Sequence, residues 1–235
     1  MIFVASNIAE GLGIVQERVL SLLRSDSATL PALTVAGVSQ AGKSYFTKRL
    51  EDCLQKKSLR LINLRMDSYY FTKEELVAFG MAGDPANPQF DFDQPSSVDL
   101  KQLAQDVTLL KHGKSIKRRE YKYPERLGNA GFPTARRIIQ GKIEPNEGHI
   151  ICVEGLFVHH EIVRNTVDLS VFIDQPNGSR RLETRIKRDT EVRGYSEAVS
   201  RQRWHETIEP SERKHIIPPN AREIFHIDVW IENRY

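Results

Sequence analysis

Gly37-Val38-Ser39-Gln40-Ala41-Gly42-Lys43-Ser44 decides how this chain is read. The octapeptide fits G-x-x-x-x-G-K-[ST], and each fixed position has a physical task. Gly37 and Gly42 let the backbone turn tightly. The N–H groups of Ser39, Gln40, Ala41 and Gly42 can then point inward at phosphate oxygens. Lys43 brings a positive charge to the β and γ phosphates. Ser44 can offer its hydroxyl oxygen to Mg²⁺. Tyr45 carries the set into the helix that follows, whose positive dipole end also favours phosphate.

The flanks suit such a loop. Pro31 opens an apolar run, Ala32 to Ala36, that reads as a buried strand, and Phe46, Leu50 and Leu54 mark one face of a helix over 44–54. Further out, strands are expected over 59–66, 149–153, 169–173 and 227–231. Helical spacing covers 17–23, 98–110 and a long, strongly basic stretch over 180–203. Residues 84–95 read as a loop, and KSIKRREYKY over 114–123 as a basic hairpin. Strands alternating with helices predict a mostly parallel α/β sheet.

The chain has 235 residues with 34 Lys+Arg against 31 Asp+Glu, a net charge of +3. One domain over 1–235 accommodates this length. The charge is too small to point to a nucleic-acid scaffold, and the basic hairpin reads as solvated or as a contact for an acidic substrate. No apolar run is long enough for a membrane span. The first residues lack a basic signal-peptide region. Two cysteines, Cys53 and Cys152, exclude a disulfide framework, so the expected compartment is the cytoplasm. A homo-oligomer is left open.

Two acids stand where sheets of this kind bind ligands. Glu154 ends the strand over 149–153 and is placed to hold Mg²⁺ or its waters. Asp67 ends the strand over 59–66 and could take a proton from an acceptor hydroxyl or hold the metal. No N-K-x-D guanine motif accompanies the loop, which argues against a GTPase.

Five stretches now add up: GVSQAGKS (37–44), MDSYYF (66–71), FDFDQP (90–95), VEGLFV (153–158) and RLETRIKRDTEVRG (181–194). In order and spacing, from about residue 32 onward, the chain resembles the uridine kinase and phosphoribulokinase family of P-loop kinases. The resemblance implies a P-loop NTPase fold on a five-stranded parallel sheet, with a substrate-side loop, helix and hairpin over about 84–126 and an Arg-rich lid over about 180–215. It implies transfer of a phosphoryl group from ATP–Mg²⁺ to a sugar or nucleoside hydroxyl. By matching position, Asp67 is the general base and Ser44, Glu154 and Asp67 are metal-associated. Asp93 grips ribose hydroxyls, and Tyr121 belongs to the substrate hairpin. Arg185 meets the nucleotide, Arg188 the transferring group and Arg193 the substrate side. The alternative for Arg181, Arg185 and Arg188 is a solvated helix face paired with Glu183 or Asp189.

The departures cluster on the acceptor side. Gln94 stands where the family has His, Arg126 where a base-recognising His falls, and Tyr195 where the lid has Arg. No counterpart of the family's usual terminal helix is expected in the residues up to Tyr235. Lys122 and Arg126 make an anionic acceptor, such as a phosphorylated sugar or a pantothenate-like molecule, the alternative to a nucleoside. Two other readings remain: a P-loop regulatory module without phosphotransfer, and a nucleoside monophosphate kinase, which would not need a base such as Asp67.

Overall fold

The structure is a computed structural model that describes residues 2–25, 28–81, 91–122 and 136–234. Its strands are β1 (Phe3–Ala5), β2 (Ala32–Gly37), β3 (Arg60–Arg65), β4 (Ile116–Lys122), β5 (Arg136–Ile143), β6 (His149–Glu154), β7 (Leu169–Asp174) and β8 (Val229–Glu232). Six of them form one parallel sheet in the order β1-β8-β7-β2-β6-β3, and β4 and β5 form a separate antiparallel hairpin. All six residues of β2 are buried. A central parallel strand is covered on both faces, which is why this segment reads as a continuous apolar run rather than an alternating one. Its register places Gly37 beside Ile173 of β7 and Val35 beside Glu154 of β6. The phosphate-loop motif and Glu154 thus emerge from neighbouring strands at the same edge of the sheet.

The helices are α1 (Ile8–Arg24), α2 (Lys43–Gln55), α3 (Lys73–Ala78), α4 (Leu100–Lys111), α5 (Glu161–Arg164), α6 (Gly178–Glu191), α7 (Glu197–Arg203), α8 (Glu209–Ser211) and α9 (Ala221–Ile224). A 3₁₀ turn over Met66–Tyr69 follows β3, and π-helical turns over Trp204–Ile208 and Glu212–Ile216 flank α8. Phe46, Leu50 and Leu54 of α2 are fully buried in the core, as their spacing predicts. Trp230 stacks on Phe172 there, and Trp204 packs under the Arg181 guanidinium.

The structure corrects the expected strand number from five to six. The additional strand, β1, has only three residues, too few to show a period, and it pairs with β8 at the far end of the chain. The helix expected over 17–23 runs from Ile8 to Arg24. Asn7 caps it by accepting from the Glu10 N–H at 3.0 Å, while Glu10 accepts from the Ser6 N–H at 2.8 Å. Gly11 and Gly13 weaken the helical pattern in its first half. Gly11 has a packing reason, since a Cβ there would lie 2.4 Å from the Ile231 side chain. The basic stretch over 180–203 is not one helix. It breaks between α6 and α7, where Gly194 takes φ +72°.

Candidate active site

The phosphate loop is built on two glycines that no other residue replaces without strain. Gly37 has φ +151°, and a Cβ there would sit 2.1 Å from the Ile173 carbonyl oxygen. Gly42 has φ +94° and caps the start of α2. Gln40, between them, also takes a positive φ of 62°. Asn233, just past β8, braces the turn by donating its side-chain N–H to the Ala41 carbonyl at 2.9 Å. Lys43 curls back over the loop and donates from Nζ to the carbonyls of Gly37 (3.0 Å) and Val38 (2.8 Å). Crowding by protein atoms lowers its pKa to about 8. Asp67, Glu212 and Glu154 oppose that shift, and Arg188 reinforces it.

Ser44, on the first turn of α2, donates to Glu154 Oε1 at 2.8 Å. Glu154 is 7% exposed, and its other oxygen, Oε2, is buried with no hydrogen-bond partner among the described residues. The next residue, Gly155, lets β6 close on the turn after β3, because a Cβ there would fall 2.3 Å from Met66 Cβ. That turn carries Asp67. Its side chain reaches solvent but is hemmed in by protein atoms, and this loss of hydration raises its pKa. Lys43 and Arg193 pull the other way, while Glu154 and Asp93 add to the rise. The two strand-end acids, the phosphate-loop lysine and Asp93 therefore share one electrostatic neighbourhood.

Arg181 and Arg185 of α6 turn into the protein, while the Arg188 side chain stays 37% exposed. Arg181 and Arg185 are 8% and 5% exposed. Asp189, 1% exposed, gathers three of the cations, accepting from Arg185 Nε (3.2 Å), Arg188 Nη2 (3.4 Å) and Arg193 Nη1 (3.3 Å). Arg185 also donates from Nη1 to Ser39 Oγ of the phosphate loop at 3.2 Å. With the Gln40 amide turned so that its oxygen accepts, Arg188 Nη1 reaches that oxygen at 2.8 Å. Burial, together with Arg193 and Arg185, lowers the Arg188 pKa to about 10, which leaves it charged at neutral pH. Arg185 and Arg188 of α6, with Arg193 just beyond it, set three positive charges against one buried carboxylate, which leaves surplus positive charge for an anion at the loop.

On the acceptor side, the Asp93 N–H donates to Asp91 Oδ1 at 2.8 Å, and Gln94 Nε2 donates to the Asp91 carbonyl at 2.8 Å. Burial, followed by the charge of Asp93, pushes the Asp91 carboxyl up to about 6, against the pull of Arg203 and Lys214. Tyr121 lies on β4 opposite Arg137. Arg126 lies outside the described residues, as does most of the 84–95 loop. Sequence reasoning missed Glu212 and Asn233, which reach the loop from 173 and 192 residues away. Neither sits in a local motif. Asp189 was visible only as an i,i+4 partner of Arg185.

Compared with known families, residues 32–228 match the Phosphoribulokinase / Uridine kinase family. The chain belongs to that family. It has the α/β fold of P-loop kinases, and the family implies ATP as the nucleotide. Two relatives illustrate the range. A uridine kinase from Ligilactobacillus salivarius is 27% identical over 208 residues, covering 84% of this chain and 89% of the relative. Uridine kinase-like protein 3 from Arabidopsis thaliana is 25% identical over 185 residues, covering 78% of this chain. This kinase spans about a third of the length of that plant relative, since the match covers 36% of it. In fold it resembles the crystal structure of a putative fructose transport system kinase from a Silicibacter species. The TM-score is 0.68 at 14% identity, covering 93% of this chain and 98% of the other. The family's description itself joins phosphoribulokinase and uridine kinase, so membership leaves the acceptor open. Among the described residues, no helix of this kinase is long and apolar enough to cross a membrane.

Proposed function

We propose that this kinase transfers the γ-phosphoryl group of ATP to a hydroxyl of a small nucleoside- or sugar-like acceptor. One observation carries the reading: Asp67 stands at the carboxyl end of β3 within electrostatic reach of Lys43, Arg193, Glu154 and Asp93 at once. A carboxylate set between phosphate-side cations and an acceptor-side acid is where an attacking hydroxyl has to lose its proton.

The amides of the 40–45 loop hold the phosphates; Ser39, expected to join them, instead gives its N–H to Glu212 Oε1. Lys43 leaves the carbonyls of Gly37 and Val38 to meet them. Asp67 accepts the proton as the acceptor oxygen bonds to the γ phosphorus, and the bond to the β–γ bridging oxygen breaks to release ADP. Arg188 and Arg193 stabilise charge on the equatorial oxygens, and Arg185 fixes the loop that presents them. Asp93, with Tyr121 and Arg126, orients acceptor hydroxyls.

A divalent ion fits the residues present. Glu154 keeps one buried oxygen without a partner, and the Ser44 hydroxyl lies against the other. Among the described residues, no group of three or more His, Cys, Asp or Glu side chains could hold a metal by itself. Ser44 and Glu154 would therefore share Mg²⁺ with the nucleotide phosphates, and Asp67 would stand in its outer shell. When bound, Mg²⁺ would neutralise charge on the β and γ phosphates.

A second reading, an anionic acceptor, draws support from Arg203 and Lys214, whose charges reach the acceptor-side loop at Asp91. An ADP-release screen tests both readings with uridine, cytidine, nicotinamide riboside, fructose, pantothenate and phosphorylated sugars. Turnover confined to neutral polyols supports the first, and turnover confined to anions supports the second. ATP binding without turnover on any acceptor would point to a regulatory module.

A further inference from the structure

Ser39 lies in the phosphate loop yet spends all three of its polar groups away from any nucleotide. Its N–H donates to Glu212 Oε1 at 2.7 Å, its hydroxyl accepts from Arg185 at 3.2 Å, and its carbonyl accepts from Arg181 Nη1 at 3.4 Å. Arg181 Nη1 in turn donates to Glu212 Oε2 at 2.6 Å. Glu212 is 2% exposed. A carboxylate this buried, with both oxygens bonded, is fixed in place by its partners.

Glu212 opens the second π-helical turn, immediately after Ser211. Ser211 faces the other way and donates its hydroxyl to the Asp93 carbonyl. The same helical run supplies Arg203 and Lys214, whose charges bear on Asp91. Adjacent residues of one helical run thus hold the phosphate loop and the acceptor-side loop. A π turn widens the helix by one residue and redirects the side chains after it, and here it sits at that junction.

We propose that Glu212 is a positioning residue for the phosphate loop, and that the Ser211–Glu212 step couples nucleotide occupancy to the acceptor-side loop at 91–95. The inference rests on the nucleotide site argued above and adds a mechanical link between its two halves. The link is energetic coupling in the ordinary sense: whatever nucleotide binding does to Ser39 is passed to Asp93 through two consecutive residues.

Calorimetric titration with ADP and Mg²⁺, paired with amide hydrogen exchange across 91–98, tests this. The amides of Asp93, Ser97 and Val98 already donate within that loop, to Asp91 Oδ1, Gln94 O and Pro95 O. ADP should slow exchange across 91–98 in the unaltered protein. Ser211→Ala should keep the ADP Kd within about twofold, as expected for a residue that does not touch the phosphate loop, and lose the protection. Glu212→Gln should weaken ADP by about tenfold, the scale of a lost charged hydrogen bond, and also lose it. Arg213→Ala, an exposed neighbour on the same run, should do neither. Protection that survives in Ser211→Ala, or that never appears although ADP binds, overturns the coupling. An unchanged ADP Kd in a folded Glu212→Gln overturns the positioning role. If Glu212→Gln does not fold, Glu212→Asp takes its place, and full ADP affinity there despite the shorter reach counts against the role. An unaltered protein that fails to bind ADP overturns the nucleotide site itself and this inference with it.

Discussion

The Ser44 hydroxyl and the Glu154 carboxylate meet at 2.8 Å, tying the first turn of α2 to the end of β6. The contact uses one carboxylate oxygen and leaves the other buried and unpaired. An orphaned anionic oxygen is costly unless something cationic completes it. Glu154→Gln should therefore raise the Mg²⁺ concentration needed for ADP binding by about 10–100-fold, the usual scale for perturbing the surroundings of a metal. Metal-free ADP binding should change little. A Mg²⁺ titration followed by calorimetry reads both, and an unchanged Mg²⁺ requirement would remove Glu154 from the metal assignment.

Asp67→Asn should keep ADP affinity and lose transfer. The amide nearly matches the carboxylate in shape but cannot take the proton, and a positioned base contributes about 10²–10⁴-fold. Phosphoryl transfer has a loose transition state, so the lower end is expected. Excess Mg²⁺ should not restore the variant. Because loss of hydration among the surrounding protein atoms raises the Asp67 pKa, kcat/KM in the unaltered protein should fall with acidification at a higher pH than an ordinary aspartate would give. A variant that keeps more than about a third of kcat, well outside that range, would make Asp67 an ordinary strand-end acid.

Lys43 gives a pH signature at the alkaline end. With a pKa of about 8, it starts to lose its proton just above neutrality when the phosphates are absent. Bound phosphates favour the protonated form, so binding must take up a proton. The ADP Kd should rise as pH climbs through about 8, approaching tenfold per unit where one proton is linked. Calorimetry in two buffers of different ionisation enthalpy should detect that proton. Lys43→Arg should flatten the dependence, because Arg stays charged. Lys43→Ala should lower kcat about 10²–10³-fold with little change in Tm. A flat profile in the unaltered protein would sink the role given to Lys43.

Gly37→Ala should be a folding mutation before it is a catalytic one. The added methyl would meet the Ile173 carbonyl at 2.1 Å, and φ +151° is closed to L side chains. Backbone strain and overpacking together suggest a loss on the order of 3 kcal/mol or more. Urea unfolding measures it. A loss below about 1 kcal/mol, the centre of ordinary single substitutions, would contradict the close approach of β2 and β7.

What could be read in advance was local. The unit of β2, phosphate loop and α2 was legible because strand, turn chemistry and helical face follow one another within 24 residues, from Ala32 to Gln55. Glu154 was legible because it ends an apolar run that the sheet must bury, and Asp67 because it follows a strand of alternating burial, Arg60–Arg65. β1 was not, since its partner is Val229–Ile231 and no window in the sequence spans both. Nor was the fate of Arg181, which reads as one basic residue among many. Only the fold turns it toward Glu212 and the core. On the acceptor side, the described residues Asp91, Asp93 and Gln94 bond within their own loop, and Asp93 is reached in addition by Ser211, a partner that no local motif announces.

The pairing of Phe3–Ala5 with Val229–Ile231 has a consequence for synthesis. During synthesis β1 is made well before β8, so the nascent chain carries β1 with no strand to accept it until β8 follows. Ile2, Phe3 and Val4 remain 37%, 36% and 49% exposed even in the finished sheet. Such long-range closure is slow and leaves apolar edges open to wrong partners in the meantime. Chaperone demand during translation should therefore fall on β1 in the interval before β8 is made.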